Sequence, residues 1–246
     1  MFPLPKPGST LLLCYVTDRS LFAAERAPAQ KILLKRIATA AAAGVDWIQI
    51  REKDLSGKEW SALTREAMKL ARIAVRDEAP DTGASPSSRL FVASAKGSHA
   101  RILANDRLDV ALAAHAGGVH LGEQSLPPQE ALQVRKRLER EDFLIGVSCH
   151  SSQAAKEAAR GGADYLFFGP VFATPSKAAY GAPQGLDRLS EVCRAVTLPV
   201  LAIGGITLDN AAACLSAGAS GIAAIRLFQD ARDLPAVIKA LRKISR

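Results

Sequence analysis

The chain has 246 residues, a formal net charge of +8, 48% hydrophobic residues and only 5% aromatic ones. That length allows a large buried core and suits a single α/β barrel domain, while no apolar run nears the roughly 18 residues of a membrane span. Its basic residues spread over helical stretches (Lys31, Lys35, Arg135, Lys239) without interleaved aromatics, which argues for solvated helix faces and against nucleic-acid binding.

The opening Met1-Phe2-Pro3-Leu4-Pro5-Lys6-Pro7-Gly8 lacks the apolar stretch of a secretory leader. Beyond it, short apolar or β-branched runs alternate with Ala-rich amphipathic stretches. Strands are predicted over Leu11–Thr17, Trp47–Arg51, Arg101–Asn105, Gly118–Leu121, Leu144–Ser148, Tyr165–Gly169, Val200–Ile203 and Gly221–Ile225. Helices are predicted over about 29–43, 57–77, 107–116, 128–140, 152–162, 186–196, 208–217 and 233–245. Gly44, Gly117, Gly162 and Gly218 stand where a left-handed helix stop is expected. The segment 79–100 breaks the rhythm and reads as a surface insert on the N-terminal face of one domain spanning 1–246. Cys14, Cys149, Cys193 and Cys214 have no C-x-x-C spacing and are expected to be reduced, as in a cytoplasmic protein.

Junctions of the form (Ala/Gly)-Gly-x-(Asp/Ser) recur at 43–48, 161–166 and 217–222, each closing a helix and opening a strand. Repeated right-handed βα units close most simply into a (β/α)₈ TIM barrel of the α/β class. A doubly wound open sheet would usually carry a Gly-rich fingerprint after its first strand, and Tyr15-Val16-Thr17-Asp18 has none.

Active sites of such barrels form at the C-terminal ends of the strands. There the second strand runs into Gln49-Ile50-Arg51-Glu52-Lys53. Strand alternation places Gln49, Arg51 and Lys53 on one face and Ile48, Ile50 and Glu52 on the other. An amide and two cations converging there suit a phosphate or pyrophosphate; the alternative is a strand end that runs into solvent. The third strand ends in Asn105-Asp106, where a hard oxygen ligand for Mg²⁺ and a helix N-cap are both open readings. Ser148 and His150 follow the fifth strand, and Thr174, Ser176 and Lys177 lie in the sixth loop, which is expected to act as a movable lid. Gly204-Gly205 and the turn at Ile225-Arg226 occupy the customary phosphate corner.

Taken in order, Gln49-Ile-Arg51-Glu-Lys53, Asn105-Asp106-Arg107, Gly118-Val-His120-Leu-Gly122, Gly169-Pro-Val-Phe172 and Ile203-Gly204-Gly205-Ile206 resemble the thiamine phosphate synthase and TenI thiazole tautomerase family. The resemblance implies a magnesium-dependent transferase of thiamine biosynthesis. It would condense hydroxymethylpyrimidine diphosphate with thiazole phosphate and release pyrophosphate. It further implies that Arg51, Lys53, Asn105 and Lys177 hold the pyrophosphate, Asp106 holds Mg²⁺, Gln49 orients the pyrimidine and Ser148 contacts the leaving group. Thr174 and Ser176 would fall at the family's Thr-x-Thr. Gly205, Ile225 and Arg226 would receive the thiazole phosphate. The expected partners are phosphorylated small molecules, with no nucleic acid and no membrane; a homo-oligomer is compatible with the sequence.

The chain departs from that pattern where Ser125 replaces the second metal-binding Asp, and where Arg226 replaces a Ser. The loss at Ser125 leaves open a TenI-type tautomerase, with His150 as acid/base, and a non-catalytic barrel that binds a thiamine precursor and regulates a partner.

Overall fold

A computed structural model describes residues 11–22, 28–76, 100–174 and 182–244. The expected insert, Ala100 excepted, lies outside these residues, as do Ser176, Lys177 and the middle of the expected lid. Eight parallel strands close into a barrel in sequence order, each bonded to the next and the last to the first. They are β1 (Leu12–Val16), β2 (Trp47–Ile50), β3 (Arg101–Asn105), β4 (Gly118–Leu121), β5 (Leu144–Cys149), β6 (Tyr165–Phe168), β7 (Val200–Ile203) and β8 (Gly221–Ala224).

The helices are α1 (Ala29–Ala42), α2 (Gly57–Arg76), α3 (Leu108–Ala113), α4 (Pro128–Arg137), α5 (Ser152–Arg160), α6 (Gly185–Ala195), α7 (Leu208–Ser216), α8 (Arg226–Gln229) and α9 (Leu234–Ile244). The short α8 and a 3₁₀ turn at Arg19–Phe22 are additions to the predicted pattern. Four residues are too few to show a helical period.

Two apolar layers hold the fold together. Alternate strand residues fill the barrel interior, among them Leu12, Cys14, Trp47, Leu103, Phe167 and Leu201. Their neighbours face outward and meet helix stripes such as Trp60, Leu63, Ala67 and Ala71 of α2. Tyr15 faces outward, where its hydroxyl donates to Gln229 Oε1 at 3.1 Å.

The repeated junctions are structural. Asp46, at the foot of β2, accepts from Leu13 N–H and Arg242, each at 2.7 Å. Asp164, at the foot of β6, accepts from Ile145 N–H at 2.7 Å and Arg135 at 2.6 Å. Each carboxylate thus ties its own strand to the preceding one and to a helix. Desolvation raises the pKa of both above the usual carboxylate value, although their arginines oppose the shift. Of the four expected helix-stop glycines, Gly44, Gly162 and Gly218 have positive φ; after α3 the left-handed residue is His115 instead of Gly117.

Candidate active site at the barrel mouth

The apolar interior gives way to polar side chains at the C-terminal ends of β2 to β5. Gln49, Asn105 and His120 are almost fully buried, and Ser148 is half-buried. Register sets their spacing: Asn105 pairs with His120, His120 with Gly146, Gly146 with Tyr165 and Ser148 with Phe167.

A line of hydrogen bonds runs across this layer. Gln49 Nε2 donates to Asn105 Oδ1 at 2.5 Å, and Asn105 Nδ2 donates to Asp106 Oδ2 at 2.6 Å. Asp106 Oδ1 accepts from Gly122 N–H at 2.7 Å and from the Ser125 hydroxyl. Gln49 Oε1 is buried with no partner among the described residues, and an orphaned acceptor of this kind calls for a donor on a ligand.

Asp106 is not a helix cap. Arg107 occupies that position without a side-chain cap bond, and Asp106 sits at φ 60, its carboxylate turned to the β4 loop. Among the described residues, no three His, Cys, Asp or Glu side chains gather as a metal cage. A carboxylate offers about four lone-pair sites. The three donors on Asp106 leave one of them, on Oδ2. That donor set fits a Mg²⁺ taking one protein oxygen and drawing the rest from a substrate diphosphate and water. Ser125 anchors the carboxylate instead of adding a second one. Glu123 is exposed and makes no hydrogen bond to Asp106.

The alternation predicted through Lys53 stops early. β2 ends at Ile50, and Lys53 is exposed in a turn. Arg51 is half-buried beside Thr17, whose Oγ1 accepts from its N–H at 3.0 Å, and its guanidinium bonds to no described residue. Glu52 is buried. Its Oε1 accepts from Thr17 Oγ1 at 2.6 Å, its Oε2 accepts from Arg19 N–H at 2.9 Å, and burial raises its pKa. Glu52 thus supports the mouth, a role signalled in the sequence only by an acid flanked by Arg51 and Lys53 at a strand end.

His120, which the sequence marks by its motif without a role, lies against Phe167, with Nε2 at 2.9 Å from Ser148 Oγ and Nδ1 at 3.1 Å from Tyr165 OH. Burial pushes its pKa down to about 3, so the ring is neutral at physiological pH. His150 is half-buried at the end of β5 and bonds the Gly169 carbonyl through Nδ1. A carbonyl only accepts, so that bond puts a proton on Nδ1.

Across the mouth, Gly204 and Gly205 have φ 93 and 65. A Cβ on Gly205 would stand 2.5 Å from Ala173 O, so a larger residue cannot take this turn without moving the sixth loop. Thr174 is half-buried on that loop. Ile225 precedes α8, whose first N–H groups have no intrahelical acceptor. The Arg226 side chain is instead exposed and lies 3.8 Å from Asp230. A cleft of about 630 Å³ extends from Ser125 and Ser148 over Pro127 to Glu157 on α5.

The chain has known relatives. The family model described as thiamine monophosphate synthase matches residues 75–228. The thiamine-phosphate synthase of Roseiflexus castenholzii is 35% identical over 97% of this chain and 90% of its own length. The chain belongs to the thiamine monophosphate synthase family. The family's Methanoculleus marisnigri thiamine-phosphate synthase is 42% identical over 82% of this chain and 83% of its own. The solved thiamine phosphate pyrophosphorylase of Pyrococcus furiosus superposes with a TM-score of 0.72 at 31% identity, over 96% of this chain and 95% of that one.

Proposed function

We propose that the chain is a thiamine phosphate synthase. It joins hydroxymethylpyrimidine diphosphate to thiazole phosphate through the thiazole nitrogen, giving thiamine phosphate and pyrophosphate. The observation that carries this reading is the hydrogen-bonded line Gln49–Asn105–Asp106, which starts two positions before Arg51, a cation whose guanidinium bonds to no described residue. A buried acceptor on Gln49, the Asp106 carboxylate and the Arg51 cation are the groups that an aminopyrimidine joined to a diphosphate would need.

As the C–O bond to the diphosphate breaks, the electron pair leaves with the pyrophosphate and positive charge develops on the pyrimidine methylene carbon. The site's work is to stabilise the first and align the second with the attacking nitrogen. Gln49 Oε1 takes a donor of the pyrimidine and fixes its orientation. Arg51, with Asn105, Lys53 and Lys177, binds the diphosphate oxygens. Asp106 is the protein's contact for Mg²⁺, which supplies charge neutralisation on the leaving group when bound. Ser148 donates to the leaving group; Gly205 and the N–H groups after Ile225 take the thiazole phosphate, and the hydroxyls of Thr174 and Ser176 assist in binding the phosphates. Arg226 contributes backbone only, because its side chain is committed towards Asp230.

A second reading, the thiazole tautomerase, draws on His150, which follows β5 directly and whose Nδ1 is held by the Gly169 carbonyl. Two incubations separate the readings. Supplying both phosphorylated precursors should yield thiamine phosphate. Interconversion of thiazole carboxylate phosphate tautomers, with no product from the paired precursors, would replace the synthase by the tautomerase.

A further inference from the structure

Tyr165, His120 and Ser148, from the neighbouring strands β6, β4 and β5, form a hydrogen-bonded chain through the barrel interior. A neutral imidazole has one N–H and one acceptor nitrogen, and the two ends of the chain decide which is which. Tyr165 is fully buried and its hydroxyl meets no described partner except His120 Nδ1. Unless it donates to Nδ1, its hydrogen is orphaned in an apolar interior. Nδ1 is therefore the acceptor, the ring proton sits on Nε2, and Nε2–H donates to Ser148 Oγ. Ser148 then keeps its own O–H for another acceptor. It is half-buried at the C-terminal end of β5, the end of the strand at which the barrel's active site forms, so an acceptor on a bound ligand is within its reach.

Gly146 leaves the space this chain needs. A Cβ there would lie 2.1 Å from Tyr165 Cζ and 2.6 Å from His120 Nδ1.

We infer that His120 and Tyr165 are positioning residues that set the Ser148 hydroxyl as a hydrogen-bond donor to the departing pyrophosphate. This rests on the synthase reading for the identity of the leaving group; the orientation of the hydroxyl does not. No proton changes hands. The C–O pair goes to the pyrophosphate oxygen, and Ser148 donates a hydrogen bond to the charge that develops there.

Two measurements on the full-length protein test it. Nitrogen-15 NMR of histidine-labelled wild type should show the Nε2–H tautomer for His120, assigned by its loss in a His120→Gln variant. An Nδ1–H tautomer overturns the inference. In steady-state kinetics, Tyr165→Phe should lower kcat about tenfold, with little change in KM for the diphosphate, and Ser148→Ala should do the same. Because Tyr165 acts through Ser148, the double variant should be no slower than Ser148→Ala alone. A full further tenfold loss in the double variant would mark Tyr165 as a packing residue and overturn the inference. If wild type turns over no precursors yet shows the Nε2–H tautomer, the synthase reading fails while the oriented hydroxyl stands.

Discussion

At Asp106 a single neighbouring side chain, Ser125, bears directly on the proposed metal contact. The Ser125 hydroxyl donates to Asp106 and uses a lone pair that a bare carboxylate would offer to a cation. Ser125→Asp removes that donor and adds a like charge, so Mg²⁺ affinity in the presence of pyrophosphate should rise about tenfold by calorimetry. Unchanged affinity would place the ion away from this pair. Arg51→Ala should lower kcat/KM for the diphosphate about 100-fold, with Arg51→Lys recovering only part of the loss. At this scale the polar strand ends were legible, because Gln, Arg, Asn and Asp after apolar runs stand out against their surroundings. His120 and Tyr165 were not recognised as partners. They lie 45 positions apart and become neighbours only through the parallel register of β4, β5 and β6.

The strand–helix junctions carry their information in the barrel's foot. Asp46 and Asp164 each bind a neighbouring strand's N–H and an arginine, and their side chains are about one-quarter exposed or less. Asp164→Ala would leave Ile145 N–H without its acceptor and Arg135 with only the Phe143 carbonyl, and should cost about 2 kcal/mol in urea unfolding with catalysis little affected. A loss of activity at unchanged stability would contradict a structural role. The repeat itself was plain in the sequence, but its purpose was not, since Arg135 and Arg242 come from distant helices that no local spacing links to these carboxylates. Gly146→Ala tests the packing of the same sheet. Its methyl group would overlap Tyr165, and a cost of about 3 kcal/mol is expected from the forced shift.

For the whole molecule, barrel closure puts a neutral histidine where water cannot reach it, and that sets a pH dependence. Folded His120 takes a proton only near pH 3, whereas an unfolded histidine does so near 6.5. Below about 6.5 the unfolded chain therefore binds more protons, and the stability contributed by this group falls as pH drops through that window, by about 1.4 kcal/mol per pH unit. Above the window its contribution is fully present. Urea unfolding of wild type should lose stability between pH 6.5 and 5 more steeply than His120→Gln; parallel slopes would mean that the ring is protonated in the folded barrel. The eight-stranded closure was readable from the alternation of strands and helices along the chain. The mouth was readable only as a set of positions, because its hydrogen bonds depend on the stagger between strands.

The most direct test of the account is pyrophosphate release by the purified protein given hydroxymethylpyrimidine diphosphate and thiazole phosphate, with and without Mg²⁺. The account predicts magnesium-dependent release that is stoichiometric with thiamine phosphate and is strongly reduced in Asp106→Ala. Absence of release in the presence of Mg²⁺, or release indifferent both to Mg²⁺ and to Asp106, would contradict it.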